Sequence, residues 1–297
     1  MIEIDWAGEA GRLRTSAEGE AGWNAAVAGT LVRDTDQVLV DVGCGGGGMA
    51  KALAEARPGA TVVAIDADPD VLEQAREHTA GLVRCELASM DDGAEPLREA
   101  IGAPADLIWA SASVHHAADQ QAAVDALAGL LAGGGRLALA EGGLPSRQLP
   151  WDLGLGEPGL ELRLDVAQDR WFKVMRDSLP GSVPMPYGWT EALTRAGLVD
   201  VTTRSVLTET PAPLTAERLD KVVHGFRTRI ERLTGGAQGH GHGHGHGQVV
   251  PDAEWLGAED VDVWRQLLDP DGPYFLGRRT DLAVLSVRSV HIGHAPR

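Results

Sequence analysis

Five short, continuously apolar runs, each followed by a longer segment of helical periodicity, restrict the stretch from Gln37 to about Glu141 to very few folds. The runs are Val38-Leu39-Val40-Asp41-Val42, Thr61-Val62-Val63-Ala64-Ile65, Leu82-Val83-Arg84-Cys85, Asp106-Leu107-Ile108-Trp109-Ala110 and Arg136-Leu137-Ala138-Leu139-Ala140. Runs this short and without polar alternation suit central strands of a parallel sheet covered on both faces. Helices are expected over Met49 to Ala56, over Val71 to His78 behind Pro69, and from an Asp119 cap to about Leu131, where Gly133-Gly134-Gly135 stops the chain. This pattern predicts an α/β sheet with right-handed crossovers.

After Gly142 the pattern changes. Pro145, Pro150, Pro158, Pro180, Pro184 and Pro186 are expected to break up any long element, giving an insertion over the sheet. Thr190 to Ala196 then reads as a helix, and Val199 to Thr208 and Asp281 to Val290 as closing strands. Between those strands lie two helix candidates, Thr215 to Leu233 and Ala258 to Leu268. The expected organisation is one domain over 1–297, with a helical lid at 1–33, a ligand-binding core at 34–143 and a cap insertion at 144–188. The C-terminal part, 189–297, carries a helical insertion at 211–272 that includes a Gly/His loop at 239–247.

The chain has 26 basic and 43 acidic residues, a formal net charge of −17. That balance disfavours a nucleic-acid backbone or an anionic membrane as partner and favours a small molecule. No run reaches the roughly 18 apolar residues of a spanning helix. Met1-Ile2-Glu3-Ile4-Asp5 lacks the basic and apolar regions of a secretory signal, and Cys44 and Cys85 give no disulfide framework. A cytoplasmic protein, monomer or homodimer, is expected.

The sharpest local signal is Asp41-Val42-Gly43-Cys44-Gly45-Gly46-Gly47-Gly48, which leaves a buried strand and enters a helix. Such a turn aims unpaired N–H groups and the positive end of a helix at a ligand. Asp66, nineteen residues after Gly47, ends the second run, where a carboxylate can accept both hydroxyls of a ribose. The spacing alone is ambiguous: Gly43, Gly45 and Gly48 fit a dinucleotide fingerprint, whereas Gly43, Gly45 and Gly47 fit a shorter one. Asp41 favours a ligand with an ammonium group, because a buried carboxylate needs a cation or donors.

Four segments in order resemble the class I S-adenosylmethionine-dependent methyltransferases. They are Val38 to Gly47, Val63-Ala64-Ile65-Asp66, Ala105 to His116, and Gly134 to Glu141. The resemblance implies a Rossmann-like, seven-stranded, mainly parallel sheet flanked by helices, and S-adenosyl-L-methionine as cofactor. It further implies that Gly43, Cys44, Gly45 and Gly47 lie against the methionine part, that Asp41 holds its amino group directly or through water, and that Asp66, with Ala67 beside it, takes the ribose hydroxyls. Ser89 and Met90 then flank the adenine, and Ala110 and Ser111 border the methionyl end. Ser89 stands where the family often has an acidic residue, so either Ser89 or nearby Asp91 is expected to meet the adenine amino group.

An activated methyl donor needs little beyond alignment of an acceptor, with a general base only if the acceptor arrives protonated. His115 and His116 follow the fourth strand and are candidates for that base, or for loop hydrogen bonding. Glu141, at the end of the fifth, can bind a polar or cationic acceptor, or else cap a helix or face solvent. Trp23, Trp151, Trp171, Phe172, Tyr187 and Trp189 either line an apolar acceptor pocket or pack the cap. His240, His242, His244 and His246 alternate with glycine, a composition open to metal binding or a flexible linker; no metal site is expected. The leading expectation is methyl transfer to O, N or C of a small-molecule acceptor. The alternatives are an NAD(P)-dependent oxidoreductase, or a non-catalytic S-adenosylmethionine-binding protein with a metal-binding His loop.

Overall fold

A computed structural model of the chain describes residues 6–235 and 255–297. Seven strands form one sheet: β1 (Val38–Val42), β2 (Thr61–Asp66), β3 (Arg84–Leu87), β4 (Ala105–Ser111), β5 (Leu131–Arg147), β6 (Val199–Thr210) and β7 (Val284–His294). Their order is β3-β2-β1-β4-β5-β7-β6. The first five pair in parallel, and β7 runs antiparallel to both β5 and β6. The mainly parallel sheet expected from the apolar runs is therefore present.

Ten helices accompany it among the described residues. In chain order they are α1 (Trp6–Gly19), α2 (Ala21–Leu31), α3 (Gly48–Ala56), α4 (Pro69–Thr79), α5 (Ala94–Ile101), α6 (Gln120–Ala128), α7 (Leu160–Asp177), α8 (Trp189–Arg195), α9 (Ala216–Thr234) and α10 (Ala258–Leu268). Side chains alternate across each strand, so the two sheet faces build separate cores. Val40, Val63, Ile108 and Leu137 pack under Leu97, Val124 and Leu193 of α5, α6 and α8. Leu39, Val62, Leu107 and Ala138 pack under Val27, Leu53 and Leu72 of α2, α3 and α4. Each Val, Leu or Ile among them, fully buried, contributes roughly 1.5–3 kcal/mol.

Local chemistry sets the helix starts. Asp68 accepts N–H bonds from Asp70 (2.9 Å) and Val71 (3.0 Å) ahead of Pro69, and Asp119 accepts one from Ala122 (2.9 Å). The α6 helix ends at Ala128, short of the expected Leu131, because Leu131 already pairs with Ala105 as the start of β5. The expectation that prolines interrupt the insertion is corrected by α7. Its 18 residues fit in the proline-free interval between Pro158 and Pro180. Leu164, Trp171 and Met175 of α7 meet Phe226 and Ile230 of α9 and Trp264 of α10 in a third core over the carboxyl side of the sheet. The segments expected as two separate insertions thus share one apolar interior. The Gly/His loop at 239–247 lies outside the described residues.

Candidate active site

The glycine turn connects β1 to α3 with Gly43, Gly45 and Gly47 at φ of +67°, +52° and +74°, backbone that other residues adopt only with strain. A Cβ on Gly43 would lie 2.4 Å from Cβ of Ser113, and one on Gly47 3.1 Å from Cβ of Ala75. On Gly45 it would meet only a methyl of Leu13, at 3.9 Å. Gly45 is therefore the point of the turn where bare main chain borders open space, as a cradle for a ligand requires.

Two carboxylates bond the turn and the helix that follows it. Asp66 accepts the Gly45 N–H at 3.0 Å through Oδ2 and the Asp68 N–H at 3.2 Å through Oδ1. Burial raises its pKa, against the opposing effect of those backbone donors. Asp41 is 2% exposed and accepts the Ala50 N–H, in the first turn of α3, at 2.9 Å. Burial pushes its pKa up to about 7; the Ala50 bond opposes the shift, and the charge of Asp66 adds to it. The two carboxylates feel each other's charge, an arrangement suited to a ligand carrying both an ammonium group and hydroxyls. Cys44 is buried, its N–H donated to Ile65 O at 2.9 Å, and burial holds its thiol well above the usual range.

Ala67 is exposed just past β2. Ser89, at the end of the β3 segment, accepts the Asp91 N–H (3.2 Å) and opens a 3-10 turn over Met90–Asp92, while Met90 packs against the core. Asp91 Oδ1 accepts the Ala118 N–H at 3.0 Å and so ties this turn to the loop after β4. Of the two groups expected at an adenine amino group, each accepts one backbone N–H, Ser89 from Asp91 and Asp91 from Ala118. Ala110 is fully buried and Ser111 half-buried at the tip of β4.

Beyond Ser111 the chain turns sharply, with Ala112 at φ +48°, a conformation costly for a residue with a Cβ. Glu141, 2% exposed on β5, holds this corner. Its Oε1 accepts the N–H groups of Ser113 (2.9 Å) and Val114 (2.8 Å), and its Oε2 lies 2.7 Å from Nδ1 of His115. Neither solvent exposure nor direct contact with an acceptor describes Glu141: every oxygen serves the His115 loop. With Nδ1–H donated to Glu141, Nε2 of His115 is the acceptor nitrogen. His116 stacks against His115 at 4.1 Å between ring centroids. Burial, then the charges of His115 and Arg176, lower its pKa to about 3, so it is neutral.

Of the six aromatics expected at a pocket, Phe172 meets the histidines, 5.5 Å from His115 and 6.2 Å from His116. Trp171 is in the cap core, Trp23 packs on Trp109 at 5.9 Å, Trp189 lies against the sheet core, Tyr187 bonds Gln121 (3.0 Å), and Trp151 is exposed. Two residues that no motif marked complete the site. Trp6 sets its ring edge on His116 at 5.1 Å, and Arg176 donates to the carbonyls of His115 (2.5 Å) and Ala117 (2.8 Å). An isolated Trp near one end and an Arg in an unfamiliar helix carry no sequence signal of contact. Helix α1 roofs the glycine turn: a Cβ on Gly46 would lie 2.6 Å from the Arg14 backbone, and Arg14 pairs with Glu77 of α4 at 2.6 Å. Among the described residues, no cluster of three His, Cys, Asp or Glu could hold a metal, and no helix is long and apolar enough to cross a membrane.

Residues 40–137 match the family model described as a methyltransferase domain. The chain is 41% identical over 102 residues to a ubiquinone biosynthesis O-methyltransferase of Xylella fastidiosa (strain 9a5c), covering 33% of this chain and 39% of that protein. It is 32% identical over 165 residues to a trans-aconitate 2-methyltransferase of Klebsiella pneumoniae (strain 342), covering 54% and 55%. The chain thus spans from about two-fifths to about half the length of these relatives. A phosphoethanolamine N-methyltransferase 2 of Haemonchus contortus, solved with S-adenosyl-L-methionine, overlays with a TM-score of 0.46 at 16% identity, covering 93% of this chain and 53% of that one. With the strand order above and the four motifs on β1, β2, β4 and β5, residues 40–137 are similar to a methyltransferase domain on a Rossmann-like sheet.

Proposed function

We propose that this protein transfers a methyl group from S-adenosylmethionine to the O, N or C atom of a small-molecule acceptor. The observation that carries the reading is the open main chain of Gly45, bonded by partly buried Asp66, with buried Asp41 bonded to the first turn of the following helix and close enough for the two carboxylates to feel each other's charge. When bound, the cofactor supplies a methyl group already activated by a sulfonium. Gly43, Cys44, Gly45 and Gly47 border its methionine part, Asp41 holds the amino group, and Asp66 beside Ala67 takes the ribose hydroxyls. Ser89 and Met90 flank the base, and Ala110 and Ser111 close the methionyl end.

The chain's own work is then alignment and proton removal. His115 Nε2 takes the proton of an acceptor hydroxyl or amine, and Glu141 fixes the tautomer and steadies the imidazolium through Nδ1. Neutral His116, with Trp6 and Phe172, makes an apolar wall that keeps water from the reacting atoms. The formal charge of −17 supports a small molecule over a nucleic acid or membrane, and a cytoplasmic monomer or homodimer is the corresponding setting. The relatives' names, a ubiquinone biosynthesis O-methyltransferase and a trans-aconitate 2-methyltransferase, support a small-molecule acceptor.

Calorimetry with S-adenosylhomocysteine and with NADH tests the reading. Saturable binding of the former alone is expected, weakened roughly ten-fold or more in Asp66→Ala through lost buried hydrogen bonds of about 1–3 kcal/mol. Unchanged affinity in Asp66→Ala, or preference for NADH, would refute it.

A further inference from the structure

One face of α7 leads away from the histidines to a group of arginines. Asp165, Gln168, Phe172 and Arg176 recur at three- and four-residue spacing and so share that face. Arg176 grips the His115 loop and Phe172 lies on both imidazoles. One turn further, Gln168 accepts from Nε of Arg229 at 2.6 Å, and another turn on, Asp165 accepts from Arg229 at 2.5 Å and from Arg147. From Phe172 to Asp165 the helix rises about 10 Å.

Arg232 follows Arg229 by one turn of α9, with its guanidinium 5.3 Å from the centre of the Trp171 ring. Burial lowers its pKa; Glu9 of α1 opposes that shift, while Arg12 and Arg229 add like charge. Glu9 lies one turn from Trp6, the residue seated on His116, so α1 joins the same two places that α7 joins. The charges do not balance. Glu9 pairs with Arg12, Asp165 is shared by Arg147 and Arg229, and among the described residues Arg232 has no ion-pair partner. Glu161, whose carboxyl feels the charges of both Asp165 and Arg147, adds a third carboxylate, so four cations face three carboxylates in a chain whose net charge is −17.

We propose that Arg232, backed by Arg229, recognises a carboxylate on the methyl acceptor, with the reacting atom lying toward His115. The proposal rests on the methyltransferase reading. A single planar guanidinium stacked on an indole suits the two-pronged geometry of one carboxylate, and an uncharged acceptor leaves the surplus positive charge uncompensated.

The test has two stages. Binding of S-adenosylhomocysteine to the full chain is measured first; its absence means that the cofactor reading has failed. The loaded protein is then titrated with 4-hydroxybenzoate and with glutarate, each beside its primary amide, in wild type and in Arg232→Gln. The acid should bind at least ten-fold more tightly than its amide in wild type. Arg232→Gln should abolish that preference and leave S-adenosylhomocysteine affinity within two-fold. Equal binding of acid and amide, or no acid binding by the loaded protein, overturns the proposal. So does a loss of cofactor affinity in Arg232→Gln, which would assign Arg232 to holding α1 through Glu9.

Discussion

Oε2 of Glu141 lies 2.7 Å from Nδ1 of His115, across 26 residues of chain, and this bond gives a loop histidine a fixed tautomer at the tip of the sheet. Because Oε1 is already shared by the Ser113 and Val114 N–H groups, a carboxamide at 141 cannot satisfy all three donors at once. His115→Ala should lower kcat by about 10²-fold or more for an acceptor that must lose a proton. Glu141→Gln should lower it less, because the imidazole remains but is poorly oriented. Steady-state kinetics with S-adenosylhomocysteine affinity as control checks this. A kcat in His115→Ala equal to wild type would mean that alignment suffices and no base acts.

Asp41 should make cofactor affinity depend on pH. Its folded pKa of about 7 stands above the 3.8 of an unperturbed aspartate, so between those values the folded chain holds a proton that the unfolded chain has released. The contribution of this proton to stability is full below pH 4 and is lost as the pH rises through 7. Relative to wild type, Asp41→Asn should gain stability across that window by up to ~4 kcal/mol. An ammonium ligand requires the ionised carboxylate, so S-adenosylhomocysteine affinity in wild type should rise about ten-fold per unit towards pH 7 and then level. Calorimetry from pH 5 to 8 should show that slope in wild type and a flat line in Asp41→Asn.

Adjacent glycines should separate ligand binding from lid docking. At Gly45 an added methyl meets only Leu13, so Gly45→Ala carries the roughly 1–2 kcal/mol strain of its left-handed backbone and projects into the cradle. At Gly46 the same methyl falls 2.6 Å from Arg14 Cα and Leu13 O, main-chain atoms that cannot rotate away. Hydrogen exchange should therefore accelerate over α1 in Gly46→Ala and not in Gly45→Ala, whereas S-adenosylhomocysteine binding should suffer most in Gly45→Ala. Identical exchange in the two variants would mean that α1 is not held by the turn.

What could be read from the sequence was local. The apolar runs declare themselves because a strand covered on both faces has no room for polar alternation, and Asp68 and Asp119 mark helix starts because their oxygens satisfy N–H groups two or three residues away. Helix α7 was obscured by the prolines on either side of it, although the interval between them is proline-free. The partners of Glu141 were invisible for another reason. The corner at Ala112 leaves two amides pointing inward, and only the folded sheet brings Glu141 of β5 beneath them. The surplus of arginines under α1 has the same origin: Arg147, Arg229 and Arg232 come together through β5, α7 and α9, with no shared spacing to announce it.

The Asp36–Arg136 pair should govern stability without touching the site. Arg136 Nη2 lies 2.5 Å from Asp36 Oδ2 and donates to Leu31 O at 2.9 Å, and Nη1 reaches Asp36 Oδ1 at 3.2 Å; both side chains are nearly inaccessible. The pair fastens the end of α2 to β5, towards the amino ends of the strands and away from the glycine turn. Arg136→Met strands a buried carboxylate and an unbonded Leu31 carbonyl, a loss of about 3–5 kcal/mol. Asp36→Ala strands the guanidinium, whose Nε already lacks a hydrogen-bond partner among the described residues, and should cost about as much. The double variant removes both charges together, so it should be less destabilised than the sum of the single changes by roughly 0.5–3 kcal/mol. Denaturant unfolding of the four proteins measures that coupling, and S-adenosylhomocysteine affinity should be the same in all of them where they remain folded. Strict additivity would mean that the pair is not coupled in solution, and that α2 is held to the sheet by Val27, Ala28 and Leu31 alone.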